Sequence, residues 1–464
     1  MLTDSGNGPI RGIWWLPSRP DRKVVGEFAS VDSGPPTLTL DGSLELAART
    51  DYPSYDYVLG EVGGQPTTLW AVEQVSMPMV SQHHQVLWAR HALIGIHLTA
   101  AAGPFAFAAI EFDALGEWIG RSGLRHWTPP QEPTVGQVAQ TVEYVLGEQP
   151  EVALDDGTSF KIAARPSLSA GGNEIRLRQH AQLEIRPTAI QTCDWFFDYV
   201  NGFRDLLTLI SDHPVRVTRA FFVPSADAPA GTSPLISWVT RWGPARQASE
   251  EPRWTAMLFT LDAVQDHWPG MLRRWFERRQ ALSDALDLLL SLTYAPPTFW
   301  DTRLLLVAQS AEAFHRRNVR NKRWPDEQFD RWKREILTAC PAEDRQRIDQ
   351  LLRYSNEPTL RERLTELGNM SAGALPMLFD RFPNWIDTAI NMRNAYTHRG
   401  QEAGPQFDPN EVYDMVAVTT FVIKACVLLE LGLPADEIAM LIVNQLTYLR
   451  LRARPTGQGQ NPGT

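Results

Sequence analysis

The sequence predicts an α+β chain of more than one domain, with a β-rich, sandwich- or barrel-like N-terminal domain over residues 1–267 followed by an all-α helical bundle over 268–454. Three observations carry that expectation. At 464 residues the chain is about three times the common domain size. Before residue 268 short β-prone runs alternate with Gly, Pro and Asp clusters, and after it apolar residues recur at helical spacing. Charge divides at nearly the same place: residues 1–270 hold 19 basic and 30 acidic side chains, net −11, whereas 271–464 hold 25 and 24, net +1.

In the first half, residues 37–46 alternate apolar and polar around Asp41-Gly42, a pair suited to the positive φ values of a two-residue turn, so a β-hairpin is predicted there. Further strand-like runs fall at 68–72, 86–96, 105–112, 159–162 and 174–177, the spacing of an all-β sandwich or barrel. Helix is expected only near the end of this half, at 195–210, and 224–231 is a Pro/Ala/Gly/Ser loop.

The second half is punctuated as helices. Residues 271–294 carry Leu282, Leu286 and Leu289 on one face and stop at Ala295-Pro296-Pro297. Asp301 or Thr302 is the predicted cap of a helix through Arg320, Trp324-Pro325 breaks the pattern, and amphipathic pieces follow at 326–340, 342–355 and 359–367. Pro383 opens a helix that ends near His398, and Asp408-Pro409 opens the next as an N-cap followed by proline at the first helical position. Residues 431–434 stop it, a last helix ends near Arg454, and 455–464 reads as a disordered tail.

Composition narrows the function classes. Hydrophobic residues at 43% and charged residues at 21% exclude global disorder, collagen-like and coiled-coil chains. Cys193, Cys340 and Cys426 are odd in number and far apart, which excludes a disulfide framework and a four-thiolate zinc site and fits a reducing cytoplasm. The start lacks a secretory signal pattern, and the most apolar windows, 93–110 and 416–433, are interrupted by His97, Gly103, Pro104, Lys424 and Glu430. A cytoplasmic protein without a membrane partner is expected. Net charge of −10 argues against a constitutive nucleic-acid binder, because Lys and Arg carry phosphate contacts.

Two places hold an arginine followed five residues later by a histidine, Arg121 with His126 and Arg393 with His398. Only the second closes a predicted helix inside the helical half. Arg393-Asn394-Ala395-Tyr396-Thr397-His398 resembles the R-[polar]-x-x-x-H signature of HEPN domains, and the segment 308–316 with Glu312 resembles the glutamate-bearing helix of the ApeA-like HEPN branch. Gly12-Ile13-Trp14-Trp15-Leu16-Pro17, Val25-Gly26 and Leu38-Thr39-Leu40-Asp41-Gly42 likewise resemble the ApeA N-terminal domain.

The resemblance implies an all-α HEPN bundle acting as a metal-independent endoribonuclease of bacterial anti-phage, abortive-infection defence. It further implies a homodimer or higher homo-oligomer in which two Arg/His pairs line one cleft, transesterification to a 2′,3′-cyclic phosphate, and an RNA substrate, with tRNA anticodon loops favoured. The β-rich domain would hold the nuclease inactive until a phage protein trigger binds. Elementary chemistry agrees: His398 at a helix C-terminus is suited to proton transfer, and Arg393 presents a permanently charged fork to phosphate oxygens. Asn394, orienting the histidine or bonding phosphate, and Glu312, holding Arg393, join the expected catalytic set by analogy. A bland alternative for Glu312 is an ion pair with Arg316 on the next turn.

The run 315–323 holds Arg316, Arg317, Arg320, Lys322 and Arg323 without an acid and is the best RNA-backbone candidate, with a solvated helix face as its alternative. Arg273, Arg274, Arg278 and Arg279 form a second cluster. No GxxxxGK[ST] or GxGxxG occurs, so no cofactor is expected, and His83, His84, His91 and His97 lack the helical spacing of a zinc site. Ser211-Asp212-His213 are neighbours in sequence rather than a spatial triad. The rival to a nuclease is a non-catalytic HEPN dimerisation or RNA-binding protein with Arg393 and His398 as structural residues.

Overall fold

The computed structural model describes residues 8–30, 34–45, 53–76, 85–100, 103–120, 123–127, 141–145, 151–171, 174–242, 254–294, 299–397 and 407–453. The chain divides into two compact units, residues 1–254 with 260–262, and residues 255–259 with 263–464. The tail predicted at 455–464 lies outside the described residues.

The first unit opens with β1 (Ile10–Leu16), β2 (Arg19–Ala29), β3 (Thr37–Leu40), β4 (Ser54–Val62), β5 (Gln65–Ser76) and β6 (Gln85–Ile94). Their pairing runs β6-β3-β2-β1-β4-β5 and returns to β6, a closed six-stranded barrel. Alternation turns Trp14, Phe28, Leu38, Leu40, Val58, Leu69 and Leu87 into one buried cluster. Gly60 lies directly across from Trp14, and a Cβ there would meet the indole at 2.3 Å, so any other residue would have to displace Trp14.

The predicted 37–46 hairpin does not form. Residues 37–40 are a strand, but both of its edges are taken, by β2 and by β6, and residues 43–45 leave the sheet with the Leu44 N–H bonded to the Gln85 side chain at 3.1 Å. Long-range pairing outcompeted the local turn.

The remaining elements of this unit are β7 (Phe105–Phe112), α1 (Leu115–Ile119), β8 (Leu124–Trp127), β9 (Thr141–Tyr144), β10 (Glu151–Ala153), β11 (Ser159–Gly171), β12 (Glu174–Arg186), α2 (Cys193–Ser211), β13 (Val217–Pro224) and β14 (Ile236–Thr240). Short α1 was not foreseen from the sequence. Strand β6 forks: residues 85–88 pair with β3 inside the barrel, while 91–94 pair with β14, which continues as β13-β7-β12-β11-β10. Helix α2 starts at a Thr192 cap and covers this extension with an aromatic stripe, Phe196 on Phe105 and Phe222, Phe203 on Phe112 and Phe160. His91 is buried at the fork, where its Nδ1 accepts from the Trp238 indole at 3.3 Å and its Nε2 faces Asp194 at 3.1 Å.

The second unit consists of α3 (Trp268–Tyr294), α4 (Trp300–Asn318), α5 (Asp326–Ala339), α6 (Arg345–Leu352), α7 (Leu360–Ser371), α8 (Pro376–Arg381), α9 (Trp385–Thr397), α10 (Pro409–Glu430), α11 (Ala435–Ile442) and α12 (Leu446–Ala453). Phe299, rather than Asp301 or Thr302, is the N-cap of α4, and α4 ends at Asn318 before Arg320. Helix α10 is apolar on every side and packs against α4, α7 and α9. It is long and apolar enough to cross a membrane, yet 78% of its most apolar window is buried inside the bundle, the disposition of a core helix. Asp408 caps it by accepting from Asn410 N at 2.8 Å, with Pro409 at the first position as expected.

Candidate active site

Helix α9 buries Trp385, Ala389 and Met392, spaced by four and three residues, against the bundle. That spacing leaves Arg393 half-buried and Asn394 exposed at the edge of the packed stripe. Arg393 Nη1 donates to Asn394 Oδ1 at 3.2 Å, and its carbonyl accepts from Thr397 Oγ1 at 2.7 Å. No carboxylate pairs with the Arg393 guanidinium among the described residues. The helix ends at Thr397, and His398 lies outside the described residues. On either side of the segment 398–406, Tyr396 and Phe407 meet edge to face at 5.8 Å, which joins the end of α9 to the start of α10.

The expected partners of Arg393 divide. Asn394 is in contact with it, whereas Glu312 makes no hydrogen bond or ion pair with either Arg393 or Arg316 among the described residues. Glu312 instead acts electrostatically on Arg363, which is 2% exposed. Arg316 pairs with Glu357 at 3.7 Å.

The basic run is not an open cationic face. Arg317 pairs with Asp284 at 3.0 Å, Lys322 with Asp326 at 2.5 Å, Arg320 with Glu366 and Arg323 with Glu362. A phosphate would have to displace a carboxylate at each of the five cations. Of the second cluster, Arg278 pairs with Glu430 at 3.2 Å.

Behind the run lies a buried constellation that the sequence did not single out. His315 is fully buried, with Nδ1 accepting from Arg363 Nη1 at 3.1 Å and Nε2–H donating to Glu366 Oε2 at 2.9 Å. Burial lowers the His315 pKa, opposed by Glu366, so the ring is neutral. Arg363 also donates to the Pro358 carbonyl at 3.1 Å. Thr359, Glu362, Arg363 and Glu366 form one capping and charge pattern on α7, the one sequence signal that marked its first turns as more than an amphipathic surface.

No group of three potential metal ligands occurs among the described residues. His83 and His84 lie outside them, while His97 Nε2 contacts the Gly60 carbonyl at 2.9 Å and His91 faces Asp194, so these two do not converge. Among the described residues Ser211 Oγ donates to the His213 carbonyl at 3.3 Å rather than to its ring.

Residues 9–275 match the family described as ApeA N-terminal domain 1, and residues 305–437 match Apea-like HEPN. The first match alone covers more than half of the chain. The chain belongs to the ApeA family. No curated protein and no solved structure matches it. In this ApeA-family chain the barrel, its sheet extension and α2 fall within the first match, and α7, α9 and α10 with Arg393 fall within the second. At the level of the family this supports a HEPN nuclease of the anti-phage type.

Proposed function

We propose that this chain is a cytoplasmic bacterial anti-phage endoribonuclease that cleaves RNA without a metal ion, with the tRNA anticodon loop as its preferred target. The observation that carries the reading is Arg393, a half-buried guanidinium at the end of α9 whose hydrogen-bond partner is a neutral amide rather than a carboxylate. A cation so placed is available to a phosphate. In the proposed reaction a 2′-oxygen attacks phosphorus and the P–O5′ bond breaks, giving a 2′,3′-cyclic phosphate and a 5′-hydroxyl. His398 takes the 2′-hydroxyl proton, the same residue of a second copy in a homodimer gives one to the leaving oxygen, and Arg393 neutralises the phosphorane. Asn394 orients this pair. Glu312 acts through Arg363 and the α4–α7 contact rather than by touching Arg393.

The N-terminal unit holds the nuclease inactive until a phage protein binds, in keeping with its acidic charge. Phage infection of cells carrying the wild type or His398→Ala at equal abundance tests the reading. Protection and new 2′,3′-cyclic RNA ends that both vanish in the variant support it; protection that survives without such ends refutes it. Activity lost in EDTA and regained on adding metal refutes the metal-free step.

A non-catalytic interaction module is the second reading, favoured by the neutralised basic run. Under it Arg316, Arg317, Arg320, Lys322 and Arg323 hold the bundle together instead of binding RNA, and His398→Ala lowers the melting temperature by several degrees without removing an activity.

A further inference from the structure

Several helix ends come together at one end of the second unit. Trp300, opening α4, meets Tyr413 of α10 edge to face at 4.9 Å, and Arg303 lies over the Trp300 ring at 5.1 Å while donating to the Leu292 carbonyl of α3 at 2.9 Å. At the opposite end Arg278 of α3 bonds Asn318 of α4 at 3.1 Å and Glu430 of α10 at 3.2 Å. Helices α4 and α10 therefore run parallel, with α3 antiparallel to both. The Tyr396–Phe407 contact ties the end of α9 to the start of α10, so Arg393 belongs to the same end as Trp300 and Tyr413.

The aromatic side chains there are unequal. Trp300, Tyr396, Phe407 and Tyr413 are partly buried and each has a ring partner, whereas Phe299, the residue before α4, is 84% exposed and has no ring partner among the described residues. A phenylalanine left in water contributes little to the fold, since it gains almost none of the free energy of burial. In-line attack on an RNA linkage needs a nucleotide drawn out of its stack, and a released base needs an apolar face to lie on.

We propose that Phe299 is a stacking platform for an unstacked nucleobase of the RNA whose phosphate is held by Arg393. The proposal rests on the nuclease reading and deepens it by naming a base contact at the same end of the helical unit as Arg393. Recognition through a ring face tolerates any base, so Phe299 sets the requirement for a flexible, single-stranded site rather than for a particular sequence.

The test uses the full chain, in extract of phage-infected cells so that the trigger is present, and a single-stranded 2′-O-methyl oligoribonucleotide carrying one 2-aminopurine between two abasic residues, a probe that lacks the attacking hydroxyl, starts unstacked and dims when stacked. Wild-type protein is expected to quench the probe. Phe299→Ala is expected to abolish the quench and weaken binding roughly ten-fold, with an unchanged melting temperature, and Phe299→Tyr to restore both. Equal quenching by wild type and Phe299→Ala overturns the platform. So does a Phe299→Ala variant that changes sedimentation while leaving the quench intact, which would make the residue a protein contact. If the wild type leaves the probe bright while His398-dependent ends form in infected cells, the platform falls and the nuclease stands. If no such ends form, the nuclease reading falls and takes the platform with it.

Discussion

Trp14 fills the barrel because its cross-strand neighbour has no side chain. The indole lies where the Cβ of any other residue at position 60 would stand. Gly60→Ala must push Trp14 off its rotamer or spread β1 from β4, and should destabilise the first unit by about 1–3 kcal/mol. An unchanged urea midpoint would show that the barrel interior yields more easily than this contact implies. Arg393 differs from the cations around the 315–323 run in one respect, the absence of a carboxylate among its described neighbours. That difference depends on where Asp284, Glu357, Glu362 and Glu366 fold back, residues up to 46 positions distant from the cations they meet. The basic run was therefore legible as a composition and illegible as a surface. Arg393 occupies the helix end predicted for it, because a helix end is written in local punctuation.

At the scale of elements, the contact of α4 and the residues that follow it with α7 is a charged seam. A hydrogen bond from Arg323 holds the Glu362 pKa at about 2, and one from Arg320 does the same for Glu366. Both carboxyls lie below their ordinary 4.5, so between those values the unfolded chain binds more protons than the folded one. Their stabilisation is complete above pH 4.5 and is lost as pH falls toward 2. Buried His315 adds an earlier loss of the same sign: its folded pKa lies below the ordinary 6.5, and stability begins to fall once the unfolded histidine protonates. Glu366→Gln should flatten the lower part of this profile and weaken the seam at neutral pH, as measured by denaturant midpoints across pH. A wild-type slope in that variant would detach the seam from acid sensitivity. The main helix breaks were readable because Ala295-Pro296-Pro297, Trp324-Pro325 and Asp408-Pro409 act locally, whereas α8 and the division between α11 and α12 were not foreseen. The runs at 68–72, 86–96, 105–112, 159–162 and 174–177 fall on strands, whereas the 37–46 hairpin was misread, because Asp41-Gly42 advertises a turn while the partners of β3 come from β2 and β6.

At the scale of the whole chain, the first unit joins two sheet regions through one strand. Because β6 is both a stave of the barrel and the neighbour of β14, melting either region strips one partner from the other. A single unfolding transition is expected for the unit, seen as coincident loss of Trp14-region and Trp238-region signals; two separated transitions would show the fork to be a weak joint. The same strand also orders events in time. The six barrel strands are complete once residue 94 has left the ribosome, whereas Thr240 bonds the Arg90 carbonyl across 150 residues of chain. The barrel can close during synthesis, and the half of β6 that meets β14 must wait through that interval with one edge unpaired, the longest such wait among the described strands.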